Sequence, residues 1–499
     1  MTTCRSSLGM TGVAFLLVAC NVGPQYQPTT VIAPSVRIGG ARMSDSSQRF
    51  FDSLAVERER DSVEAVDVAP RPTLNANAVS AAAWLDIIHD SMLVSLVDVA
   101  LRQNRDLQRA VARISEYRAD VGISRGPQLP SLSINASESS NQIALGAFPP
   151  VGYRAARFTA DVAWELDFWG RIRSDIRAAR ADLGAQEASE RATALSLVGD
   201  VASGYLQLLE LDQEKMIAER TLSTRKTTLD IARQRFAHGL TSELDVRQFE
   251  AQVAAPAVTL AQAERSRAQT EHNLNVLLGE GPVAIPRGTT LAAAVSTLAV
   301  PDSIPASLLA GRPDVVQAER SYAASVARIG VANAARFPTF SIIGSTGSQA
   351  GGPDNLFGGQ TRVYQALIGI SIPLFDNSRL ASVSAAARAR AEQARASYES
   401  VTLNAVREAN DALVGVRTAR DEAVAQATQA NALRQALELA TVRYEAGLSS
   451  YLDLLDAQRS LFGAELAASQ AQLGELKAAV QLYKALGGSW TATPSLPRR

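Results

Sequence analysis

A chain of 499 residues with only two cysteines and three histidines leaves little room for disulfide or metal chemistry. His89, His238 and His272 stand apart, with no ligand partner at the spacing a zinc site needs. No metal or cofactor is therefore expected. No glycine-rich loop opens a helix, which argues against a nucleotide site, and no nucleophile or base motif accompanies the acids. The chain reads as not an enzyme. Net charge is −1, and without a basic surface nucleic acid is excluded as a partner. Aromatics make up 5 % of the chain. No run beyond the N-terminus approaches the ~18 apolar residues of a spanning helix, so any membrane crossing must use strands. Proline is missing between Pro150 and Pro256 and again between Pro373 and Pro494. Proline breaks helices, so both gaps can hold very long ones.

The first twenty residues have the form of a targeting segment. Arg5 precedes a mostly apolar stretch from Leu8 to Val18, which closes on Leu17-Val18-Ala19-Cys20. That tetrapeptide resembles a bacterial lipobox, in which cleavage leaves the Cys20 thiol to carry lipid. The competing reading is an ordinary signal peptide with an incidental Cys20. The mature chain keeps one cysteine in either case, so no internal disulfide staples it. The polar stretch Ser35 to Arg71 is assigned no role.

The sequence repeats itself at one offset. Arg235-Phe236-Ala237-His238-Gly239-Leu240-Thr241-Ser242-Glu243-Leu244-Asp245-Val246 matches Arg443-Tyr444-Glu445-Ala446-Gly447-Leu448-Ser449-Ser450-Tyr451-Leu452-Asp453-Leu454, a separation of 443 − 235 = 208. Pro130 to Ile134 falls on Pro338 to Ile342, Asp106 and Ala110 on Asp314 and Ala318, and Arg171 on Arg379. The chain is two copies of one unit, each reading helix, strand, strand, long helix, turn, helix.

The expected strands lie near 129–139, 157–169, 337–346 and 363–375. From Phe158 to Phe168 apolar even positions alternate with Thr159, Asp161, Ala163, Glu165 and Asp167. Tyr364 to Leu374 repeats the pattern. Such alternation over about 9–11 residues, flanked by aromatics, fits a membrane strand with an acidic stripe toward a water-filled lumen. A soluble sandwich with one wet face is the alternative. Loops around Gly146 to Gly152 and Gly351 to Gly359 are the expected exposed tips. A membrane barrel needs about eight strands at least. Four strands therefore have to be shared between chains, because open edges in lipid leave backbone groups unsatisfied.

Arg379 to Ala446 would form a helix of about 100 Å. After Gly447, Leu452, Leu455, Phe462, Leu466, Leu473, Leu476, Val480 and Tyr483 make one coiled-coil seam, and Leu454, Ala457, Leu461, Ala464 and Ala468 a second. Two seams imply two helical neighbours, as in a cylinder wall. Pro256 within the helix after the first turn predicts a bend there or an exit to irregular chain.

Several of these segments resemble one family, the TolC-like outer-membrane efflux factors, in their lipoprotein branch. Cys20-Asn21-Val22-Gly23-Pro24-Gln25-Tyr26 looks like that branch's start. Trp84, Asp90, Leu93, Ala100-Leu101, Asn104, Asp106-Leu107 and Ala110 follow its first helical signature. Gly311-Arg312-Pro313-Asp314-Val315 resembles its Arg-Pro-Asp segment, and Arg443-Tyr444 with Gly447, Leu452, Asp453 and Leu455-Asp456-Ala457-Gln458 its closing hairpin. The resemblance implies an α+β membrane protein and a homotrimer. Three chains of four strands would form a twelve-stranded outer-membrane β-barrel, continued by a long periplasmic α-helical barrel from two tandem repeats. The corresponding division is 1–19 signal peptide, 20–82 lipid-anchored N-terminal segment, 83–287 first repeat with its hairpin at 171–279, 288–310 equatorial linker, 311–488 second repeat with its hairpin at 379–487, and 489–499 tail. Asn21 after the cysteine favours sorting to the outer membrane. An inner-membrane efflux pump would pass substrate through a periplasmic adaptor, or membrane fusion protein.

The resemblance also assigns roles. Arg235, Gly239, Leu240, Thr241, Arg443, Gly447, Leu448 and Ser449 would dock the adaptor. Leu452, Asp453 and Asp456 would form a periplasmic constriction, held shut by ties from Tyr444, Asp245 and Arg459. The plainer reading of the turns is a helix C-cap, and that of the acids is solvated helix N-terminal carboxylates favoured by the dipole. Three functions remain open: an exit duct for small toxic compounds, a duct for secreted proteins, and a pore-free periplasmic coiled-coil lipoprotein.

Overall fold

The computed structural model describes residues 23–26, 90–146, 148–296 and 307–488. Cys20 and the stretch 35–71 lie outside the described residues. In chain order the elements are α1 (Ser91–Gln103), α2 (Arg105–Arg125), β1 (Ser131–Leu145), β2 (Phe148–Leu166), α3 (Arg171–Ala237), α4 (Glu243–Leu278), α5 (Leu291–Ser296), α6 (Ser307–Ala310), α7 (Pro313–Ala334), β3 (Thr339–Ala350), β4 (Arg362–Ser371), α8 (Arg379–Glu445) and α9 (Tyr451–Ala485). None of these helices is long and apolar enough to cross a membrane.

The offset of 208 holds in three dimensions. Helices α3 and α8 each run 67 residues, and Arg171 and Arg379, their first residues, are one offset apart. Left-handed glycines stop the hairpin helices at equivalent places, Gly239 (φ 70°) with Gly447 (φ 72°) and Gly279 (φ 74°) with Gly487 (φ 73°). The third pair differs. Gly170 (φ 75°) precedes α3, but its counterpart before α8 is Ser378 (φ 64°), where a side chain carries the strain of a left-handed backbone.

One of two compact units contains the sheet. Its four strands are antiparallel in the order β1-β2-β3-β4, so each repeat supplies a hairpin and the central pairing, β2 with β3, joins the repeats. The first hairpin is longer than expected. Strand β2 already begins at Phe148 and pairs Val151 and Gly152 with Ile143 and Gln142, so the segment Gly146 to Gly152 is mostly strand rather than loop. A left-handed Gly146 (φ 65°) lies at the turn, and the register shifts by one residue just before it, between Ile143 and Leu145. Leu132, Ile134, Phe158, Val162, Trp164, Tyr364, Ile368 and Ile370 point out exposed. Behind the strands, Trp169 stacks on Phe337 with centroids 4.8 Å apart, and Phe168 meets Phe340 edge-on at 4.8 Å.

The acidic stripe is not a row of free charges. Asp161 accepts from Asn135 Nδ2 (2.6 Å) and Thr159 Oγ1 (3.0 Å). Glu165 takes a two-pronged bond from Arg171 at 2.8 Å on each arm. Asp167 leaves the alternation altogether, because β2 ends at Leu166. Its carboxylate accepts the Ile172 and Arg173 amides (3.1 and 2.9 Å) and so caps the first turn of α3.

The second unit is helical. Its core is built from Leu93, Val97 and Leu107 with Val198, Val201, Tyr205, Leu206, Leu274, Leu476, Val480 and Tyr483. Two buried polar residues at equivalent positions fasten the hairpins. Asn104 donates to the Leu277 carbonyl (2.9 Å). Arg312, one offset later, donates to the Ala485 carbonyl (2.7 Å) and also binds Asp314 and Glu408 (both 2.7 Å). The Arg-Pro-Asp segment is thus a structural tie. Along α9 the near half buries Leu454, Leu461 and Ala464 and the far half Leu473, Leu476, Val480 and Tyr483. Within one chain α9 changes seams along its length. Helix α4 runs unbroken through Pro256, which is buried, so no exit to irregular chain occurs.

Replacing Ser378 by glycine removes a left-handed side chain. Ser378→Gly is expected to stabilise the fold by about 1 kcal/mol, and Gly170→Ser to destabilise it by a similar amount. Thermal unfolding of the purified assembly reads both, and no difference between the two substitutions would show that the backbone there relaxes.

Candidate functional site: the two helical turns and their acids

Each hairpin reverses through the same chain of local bonds. Helix α3 ends as the Leu240 amide reaches the Arg235 carbonyl (2.9 Å) and the Gly239 amide the Phe236 carbonyl (2.9 Å). Helix α8 ends likewise, Leu448 to Arg443 at 2.8 Å and Gly447 to Tyr444 at 3.1 Å. This is a Schellman stop, which needs a left-handed residue at the glycine position. Two residues on, Ser242 and Ser450 begin α4 and α9 with a capping box. The serine hydroxyl accepts the Asp245 or Asp453 amide, and the aspartate accepts the serine amide (3.1 Å in each).

The expected gate acids Asp245 and Asp453 are therefore equivalent residues with one shared local role. They differ in detail. Asp245 also accepts from Thr241 Oγ1 (2.6 Å) and Ser242 Oγ (2.8 Å), and these bonds, the threonine's first, hold its carboxyl below the usual range. In the second turn Ser449 stands where Thr241 does, and its buried hydroxyl finds no partner among the described residues.

Of the expected ties, Arg459 bonds Asp456 one turn away on the same helix (3.1 Å). Tyr444 meets the first turn. The guanidinium of Arg235 lies 5.1 Å from its ring centre, so a residue assigned to docking and one assigned to the gate form one cation–π contact. Leu452 is exposed, as are Leu240 (74 %) and Leu448 (72 %) at the two tips. Among the described residues, Arg443 and Asp453 make no hydrogen bond or ion pair to the other turn.

Beneath the turns lies a small core that the sequence did not single out. Leu229, Ala232, Val246 and Phe249 pack together with Val253 and Tyr451. The rings of Phe249 and Tyr451 are 4.1 Å apart, and burial pushes the Tyr451 hydroxyl up to about 12. Phe249 and Tyr451 were discoverable as the only aromatics of α4 and of the first turn of α9.

The family described as outer membrane efflux protein matches residues 96–280 and 304–488, one match per repeat. The solvent efflux pump outer membrane protein SrpC of Pseudomonas putida is 35 % identical over 418 residues, 82 % of this chain and 87 % of its own. Outer membrane protein OprJ of Pseudomonas aeruginosa is 31 % identical over 503 residues, 97 % of each chain. Among solved structures, the outer-membrane channel OprN superposes with a TM-score of 0.75 at 30 % identity, covering 86 % of this chain and all of that one. The fold class read from the sequence, a trimeric outer-membrane barrel of shared strands continued by tandem helical hairpins, is that of these channels.

The lowered carboxyl of Asp245 fixes the sign of a pH effect. A group whose folded pKa is depressed stabilises the fold above its unfolded pKa and loses that contribution as pH falls through the folded value. Hydrogen-exchange protection of the 239–245 turn, corrected for intrinsic rates, is expected to survive acidification through the ordinary aspartate range near 3.9 and to fail only below it. Thr241→Val should move that failure upward. Coincident profiles for wild type and variant would remove the threonine bond from the account.

Proposed function

Since the chain belongs to the outer membrane efflux protein family, we propose that it is the outer-membrane channel of a tripartite efflux system, carrying small toxic organic compounds from an inner-membrane pump and its periplasmic adaptor to the exterior. One observation carries this reading. One chain holds a four-stranded sheet with an exposed apolar face, its outer strands β1 and β4 paired on one side only among the described residues, and two equivalent helical hairpins of unusual length. A pore-free scaffold has no use for such a sheet. A relative named as a solvent efflux pump protein favours small molecules over secreted proteins as cargo.

Three copies would close the barrel and bring three copies of Asp453 and Asp456 around one axis. A ring of carboxylates at a narrow aqueous point admits cations and repels anions. Leu452 narrows the same level, and Tyr444, Asp245 and Arg459 hold neighbouring hairpins together. The exposed Leu240 and Leu448, with Arg235, Gly239, Thr241, Arg443, Gly447 and Ser449, form the surface that meets the adaptor. Cys20 carries the lipid that tethers the N-terminus to the outer membrane.

Single-channel recording in planar bilayers tests the pore. Wild type should show discrete cation-selective openings, and Asp453→Ala with Asp456→Ala should lose that selectivity. Tyr444→Phe with Arg459→Ala should raise the open probability about tenfold or more, since bonds to charged groups are worth about 1.5–3 kcal/mol each. A folded assembly that stays silent in wild type and in the Tyr444 and Arg459 variant would sink the channel reading. Intact mass of the purified chain tests the anchor: an unlipidated Cys20 in outer-membrane material would remove it.

A further inference from the structure

Proline at position 256 cannot donate the amide that the Gln252 carbonyl would receive in an uninterrupted helix. That carbonyl is nevertheless satisfied. Arg225, on α3, donates to it through Nη1 at 2.8 Å. The same guanidinium reaches the Gln458 carbonyl of α9 through Nη2 at 3.4 Å and lies 5.2 Å from the centre of the Phe462 ring. Arg225 is 2 % exposed, and its partners among the described residues include no carboxylate. Two backbone carbonyls and an aromatic face are what compensate a buried cation, and burial lowers its hold on the proton.

We infer that Arg225 is a positioning residue for the gate. It uses the carbonyl freed by Pro256 as an anchor on the first hairpin and pins to it the turn of α9 that bears Asp456 and Arg459. The inference rests on the channel reading above. Gln458 sits between those two gate residues and adjoins Arg459, so its carbonyl reports the position of both. The tie is also one that can be exchanged. Four buried polar atoms on these helices lack a partner among the described residues: Arg225 Nε, Gln248 Oε1, Tyr451 Oη and Gln458 Oε1. A fully satisfied network would lock one arrangement. Unfilled donors and acceptors on α3, α4 and α9 give a shifted arrangement bonds to gain, which a two-state element needs.

The test uses full-length assemblies in planar bilayers together with their thermal unfolding. Arg225→Met keeps the bulk and removes every donor. It is expected to lower the unfolding temperature and to raise open probability about tenfold. Arg225→Met combined with Pro256→Ala returns an amide to the Gln252 carbonyl. Stability should recover while open probability stays high, because the tie to α9 is still missing. Recovery of both together would reduce Arg225 to a structural role and overturn the inference. Arg225→Lys serves if the methionine variant does not assemble: one ammonium cannot hold carbonyls on two helices in the same way, so it too should open. Silent Arg225 variants beside a conducting Tyr444 and Arg459 variant would overturn the inference and leave the channel standing. Silence in all of them would overturn both.

Discussion

Backbone groups at the edge of a sheet have to be hydrogen-bonded, and lipid supplies no water to bond them. Strands β1 and β4 are the outer strands of the sheet, each with one side unpaired among the described residues. In an aqueous protein such edges are protected by charge, by proline or by a covering loop. Here the face beside them is apolar and exposed, from Leu132 and Ile134 on β1 to Tyr364, Ile368 and Ile370 on β4. The sheet is complete only as part of a closed barrel, and closure at four strands per chain requires other copies. Assembly and membrane insertion both follow from that one requirement.

The second constraint is the duplication. A unit repeated at an offset of 208 residues imposes equivalent stops, caps and ties, and the structure has them at Gly239 and Gly447, Gly279 and Gly487, Ser242 and Ser450, and Asn104 and Arg312. The copies also differ at particular positions. Thr241 binds the first capping aspartate while Ser449 leaves the second without that bond. Phe236 became Tyr444, whose ring receives Arg235. Pro256 has no proline counterpart, since Ala464 stands one offset later. The two hairpins share a fold and differ in how firmly their ends are held.

Much of this was legible in the sequence, because each readable feature rests on a local rule. Alternation revealed the strands, missing proline the long helices, and paired glycines the turns. What escaped depends on partners distant in the chain. Asp167 sits on the alternating stripe by parity, yet the end of β2 hands it to the amides of α3. Asp161 and Glu165, read as part of an acidic stripe toward a lumen, are bonded to Asn135 and Arg171. Pro256 predicted a bend or an exit to irregular chain, and the helix runs on with the Gln252 carbonyl taken by Arg225 of another helix. The core of Phe249 and Tyr451 was hidden for the same reason. The tip and gate roles came from the family resemblance, and only contacts showed that Arg235 and Tyr444 belong together.

Shared closure of the sheet is the requirement on which the rest depends, and the mass of the detergent-purified, membrane-extracted assembly measures it directly. Native mass spectrometry should find three chains in one particle, with dissociation to single chains only on unfolding. A folded, membrane-inserted single chain with the sheet intact would contradict the account, because its two open edges would then have to be satisfied in lipid without a partner.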